Sequence, residues 1–148
     1  MNAKVLLIED SKFLRIATER ALLKAGFQVV AAADGEGGLK AANESLPDII
    51  LLDMMLPKIS GLDVLKALKA NSATVHIPVI VLTSLSQRNE EKLVGDGAVA
   101  YIEKSALGLD EGSSSLVAAM RKIIAQVDHQ KKVDLRLREL AAKKAVAG

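Results

Sequence analysis

Five short apolar runs recur along the chain, at 5–8, 28–32, 48–52, 79–82 and 99–102, with amphipathic stretches between them. Several runs are nearly unbroken Val, Ile and Leu, without the polar alternation of a strand that has one wet face. Such runs predict strands covered on both faces, as in a parallel sheet. Ser11 to Lys24 predicts the first helix, with Phe13, Leu14, Ala17, Ala21 and Leu22 on one stripe and Gly26 as a left-handed cap. Residues 35–43 predict a second, short helix, because Gly35, Gly37 and Gly38 each cost roughly 1 kcal/mol relative to Ala. A third helix is expected from Leu62 to Ala70, and Pro78 marks the entry of the fourth strand. Ser86 caps a helix over 87–94 that Gly95 and Gly97 end, and Leu116, Val117, Met120, Ile123, Ile124 and Val127 trace the last helix. The alternation predicts an α/β fold, (βα)5, with a doubly wound parallel five-stranded sheet and right-handed crossovers.

Composition bounds this picture. With 148 residues, half of them apolar, the chain is long enough to bury a core of its own. It has no cysteine, which removes disulfides and thiolate metal sites and agrees with a reducing, cytoplasmic address. No run approaches the length of a membrane span or a signal-peptide core. The net charge of +2 is unevenly placed: residues 128–148 hold six Lys/Arg against three Asp/Glu, which leaves the body near −1. A nearly neutral body disfavours a nucleic-acid grip, which would need a basic face.

In a doubly wound sheet, ligands sit beyond the carboxyl ends of the strands where strand order reverses. The residues just past the runs are Glu9 and Asp10, Asp53, Thr83 and Ser84, and Lys104. With strand order 2-1-3-4-5 their strands are contiguous and the side chains line one rim. Two unit charges 4 Å apart cost about 4 kcal/mol at an effective dielectric near 20, so three carboxylates there call for a cation. Oxygen ligands without His or Cys favour a hard ion, and Mg2+ suits a site that keeps exchangeable oxygens. Thr83 and Lys104 then offer donors to an anion brought to that ion. Each residue alone has a blander reading: an acidic pair as a helix cap, Asp53 as a turn residue before Pro57, Thr83 as a β-branched strand end, Lys104 as a solvated charge.

Together these residues resemble a known family. Glu9-Asp10, the run Leu51-Leu52-Asp53-Met54-Met55-Leu56-Pro57 followed by Gly61, Val81-Leu82-Thr83-Ser84, and Tyr101-Ile102-Glu103-Lys104 are similar, in order and spacing, to the receiver domains of two-component response regulators. The resemblance covers roughly residues 3–127 and implies the flavodoxin-like receiver fold. It implies that Asp53 accepts a phosphoryl group from a sensor histidine kinase or a histidine phosphotransfer protein. It further implies that Asp10, Asp53 and the Met55 backbone carbonyl ligate Mg2+, with Glu9 acting through a water. Thr83 and Lys104 would bind the phosphoryl group. Tyr101 would follow Thr83 from an exposed to a buried rotamer, reshaping the face of the 87–94 helix, the fifth strand and the last helix for a downstream protein. Met55 and Leu85 stand where the family influences the hydrolytic water; both are apolar, which implies slow loss of the phosphoryl group.

The sequence departs from the family where Ser105 replaces the usual proline after the lysine, because a cis bond there costs about 2.5 to 4 kcal/mol without proline. The stretch from Ser105 to Ser115 is also longer than usual. Other readings compete with a switch. An aspartate-nucleophile Mg2+ phosphohydrolase would need a second aspartate where Met55 stands, and a nucleotide-binding domain would need glycines where Glu9-Asp10-Ser11 stands. A phosphorylation-independent pseudo-receiver rests on Ser105 alone. His76 and His129 lack ligand-spaced partners and read as surface residues.

The expected organisation is a receiver domain over 1–127 and, over 128–148, a basic helical extension or frayed tail with no output domain. Val133, Leu137 and Leu140 recur there at helical spacing, offset from the stripe of the last helix. A homodimer or partner contact is the leading functional reading of that stripe, ahead of nucleic acid or an anionic membrane.

Overall fold

The structure is a computed structural model that describes residues 2–83, 97–104 and 113–147, with side chains over 116–145 in the last stretch. The expected 87–94 helix with its Ser86 cap and Gly95, the family positions Ser84 and Leu85, and the Lys104–Ser105 bond lie outside the described residues.

The elements are β1 (Lys4–Ile8), α1 (Lys12–Lys24), β2 (Gln28–Ala32), α2 (Gly35–Ser45), β3 (Ile49–Asp53), α3 (Gly61–Ala70), β4 (Val79–Thr83), β5 (Ala100–Glu103) and α4 (Ser113–Ala147). All strand pairs are parallel, in the order β2-β1-β3-β4-β5, as the unbroken apolar runs require. Alternation along each strand divides the core into two layers. Leu6, Ile8, Ile50, Leu52, Val79 and Val81 face one way with Ala42, Val64, Leu65 and Leu68 from α2 and α3. Val5, Leu7, Ile49, Leu51, Ile80 and Leu82 face the other, with Leu22 of α1 and Leu116 and Met120 of α4.

Local signals start and stop the helices where side chains can satisfy loose backbone groups. Ser11, Asp34 and Ser60 cap α1, α2 and α3 by accepting the amides of Leu14, Gly37 and Asp63. Gly26, at φ 98°, turns the chain out of α1. Its amide reaches Leu23 O at 3.0 Å and that of Phe27 reaches Leu22 O at 3.1 Å, the paired bonds of a Schellman motif.

The structure corrects the expectations in three places. Asp53 and Thr83 are the last residues of their strands rather than the first beyond them. Phe13 is 75% exposed and is not on the packed face of α1, whose buried residues are Thr18 and Leu22. At about 100° per residue, Leu14, Thr18 and Leu22 stack on one face and Phe13 points well away from it. Helix α2 runs to Ser45 despite its glycines, because a Cβ at Gly38 would stand 2.4 Å from Ile8 Cδ1 and the bare backbone lets the helix lie close on the sheet.

Helix α4 does not stop at the sheet. It continues unbroken to Ala147, and from Asp128 through Ala145 every residue is exposed. Among the described residues, no helix is long and apolar enough to cross a membrane.

Candidate functional site

Parallel strands bring their carboxyl ends to one edge of the sheet, and the neighbouring tips of β1, β3, β4 and β5 gather the polar residues there. Glu9 follows β1 and is 2% exposed, with its amide bonded to Ala32 O at 3.0 Å. Asp10 is exposed. The capping bond of α1 belongs to Ser11, so the acidic pair is not consumed as a helix cap.

Asp53 is fully buried. Its Oδ1 accepts the Met55 amide at 3.0 Å, which folds the chain back over the strand tip. The turn is held by Gly61, whose amide donates to Met54 O at 3.1 Å. A Cβ there would stand 2.3 Å from Asp53 O and 2.7 Å from Met54 Cα. The start of α3 is thus pressed against the backbone of the acidic residue itself. Met55 turns its side chain outward, 60% exposed.

Lys104, just past β5, closes the site. Its Nζ donates to Glu9 Oε1 at 3.0 Å and Oε2 at 3.3 Å and stands 3.0 Å from Asp53 Oδ2. That last contact is an ion pair without hydrogen-bond alignment, because Oδ2 has no hydrogen-bond partner. The charge is close, and the buried oxygen still lacks a directed donor. A native protein rarely leaves such an atom unless a ligand or ion completes it.

The electrostatics agree with two buried carboxylates facing one ammonium. Burial, and then the neighbouring Asp53 carboxylate, raise the Glu9 pKa to about 7, against the lowering pull of Lys104. For Asp53, burial pushes upward, but its interactions with Glu9, the Met55 amide and the Lys104 ammonium prevail and lower it. Burial likewise works against the Lys104 charge, yet the two carboxylates raise its pKa.

Glu9, Asp10 and Asp53 each offer an oxygen, all within 4.8 Å of one another. An all-oxygen set of that size fits a hard divalent cation. Thr83, 4% exposed, ends β4 beside Glu103 in the ladder, one residue past the Leu82 that pairs with Asp53. Tyr101, half-buried in β5, packs against the core layer shared with α2 and α3. All seven sequence-derived site residues that the structure describes therefore lie at or next to these strand tips, Tyr101 set back within β5.

One residue escaped the sequence reading. Arg15, one turn into α1, donates from Nη1 to the carbonyls of Glu9 at 3.0 Å and Asp10 at 3.3 Å. It ties down the backbone of the acidic pair. The only available signal was a basic residue five positions after Asp10.

Comparison with known proteins places this arrangement. Residues 5–112 match the family model described as the response regulator receiver domain. The polar-differentiation response regulator DivK of Brucella ovis is 38% identical over 106 residues, which cover 70% of this chain and 85% of that protein. The gliding motility regulatory protein of Myxococcus xanthus is 40% identical over 109 residues, 72% of this chain; the match spans 14% of that protein's length. Among solved structures, chemotaxis protein CheY4 of Vibrio cholerae superposes with a TM-score of 0.72 at 27% identity, covering 82% of this chain and 98% of that one. The chain belongs to the response regulator receiver family of two-component signalling, whose members are signalling modules rather than classical enzymes.

Proposed function

We propose that this protein is a cytoplasmic phosphorylation switch in which Asp53 accepts a phosphoryl group from a sensor histidine kinase or a histidine phosphotransfer protein. The observation that carries the reading is Asp53 Oδ2, a buried carboxylate oxygen 3.0 Å from an ammonium group, without a hydrogen-bond partner, at the mouth of an acidic cluster. An Asp53 carboxylate oxygen attacks phosphorus and forms the acyl phosphate as the phosphorus–nitrogen bond of phosphohistidine breaks; the imidazole, already protonated on its other ring nitrogen, leaves as a neutral group with the electron pair of that bond.

Asp10, Asp53 and the Met55 carbonyl would hold Mg2+, with Glu9 reaching it through a water. Bound there, the ion neutralises the carboxylates and the incoming phosphoryl oxygens. The chain's own residues do the rest. The Met55 amide fixes the Asp53 rotamer, so that the carboxylate meets phosphorus in line. Lys104 holds a positive charge against that carboxylate and would pair with a phosphoryl oxygen. Thr83 at the neighbouring tip would supply a hydroxyl donor. Turning inward to do so, Thr83 would draw Tyr101 with it and change the face presented to a downstream protein.

The test is transfer from a phosphorylated histidine phosphotransfer domain to the purified chain, with a soluble phosphomonoester as a parallel substrate. Stoichiometric Mg2+-dependent transfer that is lost in Asp53→Asn is expected. Multiple-turnover hydrolysis of the monoester would instead make this a phosphohydrolase.

A further inference from the structure

We propose that the protruding part of α4 is a self-association surface, by which two copies of this chain pair in parallel through a seam of Val133, Leu137 and Leu140. Helix α4 leaves the body after Val127, and its last 20 residues, 128–147, reach about 30 Å at 1.5 Å per residue. Over that length Val133, Leu137 and Leu140 are 36%, 59% and 47% exposed. Their spacing of four and then three residues is the repeat of a coiled-coil seam.

The stripe is not the core stripe running on past the sheet. At about 100° per residue, Leu116, Met120 and Val127 centre roughly 120° around the helix from the seam. The same side of the helix continues past the sheet: Val127, Gln130, Lys131, Asp134, Leu135 and Arg138 line a groove with His76. The seam therefore points away from the body of its own copy. Two copies can bring Val133, Leu137 and Leu140 together with both bodies on the outside.

Charge selects a second copy and an orientation. With Leu137 at a and Val133 and Leu140 at d, the flanking positions are His129, Arg136 and Lys143 on one side and Asp134 and Ala141 on the other. Parallel pairing sets each flank against the opposite one: His129 meets Asp134 and Arg136 meets Ala141, and like charges meet only where Lys144 faces its own copy at the end of the seam. Antiparallel pairing sets Arg136 of each copy against Lys143 of the other. Gln130 and Lys144 occupy the remaining a positions; such polar residues fix register at a cost in stability. The seam is shorter than the three or four heptads that usually mark a free coiled coil, so the dimer is weak and concentration-dependent.

The lack of native cysteine allows a direct test on the full chain. Sedimentation equilibrium is expected to show a monomer–dimer equilibrium that Leu137→Asp with Leu140→Asp weakens about tenfold or more. Under mild oxidation, Val133→Cys and Leu140→Cys should each cross-link to their own copies faster than Arg138→Cys, on the groove side of the helix. These substitutions lie outside the packed body, so the fold remains intact for comparison. A monomer at every concentration, a dimer unaffected by the double substitution, or cross-linking no faster than at Arg138→Cys would each overturn the proposal. Selective cross-linking between Val133→Cys and Lys144→Cys copies would overturn the parallel arrangement.

Discussion

Lys104 Nζ lies 3.0 Å from Asp53 Oδ2, close enough to fix the charge of the carboxylate yet not aligned to occupy its lone pair. The lysine thereby holds Asp53 ionised without blocking the oxygen that the proposed chemistry uses. Replacing it by Met removes one donor from the transition state. Such a loss typically costs about a hundredfold to a thousandfold in rate. Phosphorylation of Lys104→Met by phosphoramidate, followed by intact mass, should be slower by that order, and an unchanged rate would remove Lys104 from the mechanism.

Glu9 predicts an unusual pH dependence for the metal-free protein. Its folded pKa, about 7, lies above the ordinary value of 4.5. A raised pKa means that its contribution to stability is complete below 4.5 and is lost as pH rises through about 7. The lowered pKa of Asp53 has the opposite sign but acts below 3.8, outside that window. Denaturation midpoints in chelator should therefore fall between weakly acidic and weakly basic buffer. Glu9→Gln should flatten that slope, and Mg2+ should offset it at the basic end by binding the ionised cluster. An identical slope in Glu9→Gln would place the titration elsewhere.

Gly61→Ala tests the link between fold and site. The new Cβ would meet backbone atoms of Asp53 and Met54, which cannot rotate aside as a side chain can. A loss of about 1–3 kcal/mol is expected, together with weaker Mg2+ binding because the displaced turn carries Met55. Full stability with unchanged Mg2+ affinity would show that the turn adapts freely.

Much of this was legible because the dominant signals are local. The unbroken runs identified the buried strands, and the polar residues at their ends identified the rim. Tertiary forces decided the rest. A hydropathy pattern ends a strand before a carboxylate, yet Asp53 belongs to β3 because Lys104 and the Met55 amide stabilise its charge there. Glycines weaken a helix by propensity, yet in α2 they permit contact with β1. Phe13 looked like a core residue from its type alone. Arg15 acts through backbone carbonyls, which carry no sequence identity, so no residue pattern announced its role.

The exposed, apolar Met55 side chain predicts a long-lived switch. It lies two residues past the proposed phosphoacceptor and cannot orient water. Phosphate release from the isolated phosphoprotein should be slow, and Met55→Asn should hasten it. Loss within seconds in the wild type would contradict the expectation.

The most direct measurement is peptide mapping of the full chain after acetyl phosphate treatment with and without Mg2+. The account predicts one hydroxylamine-labile phosphoryl group on the peptide containing Asp53, formed only with the metal and absent from Asp53→Asn. Modification of another residue, or equal labelling in the presence of chelator, would contradict it.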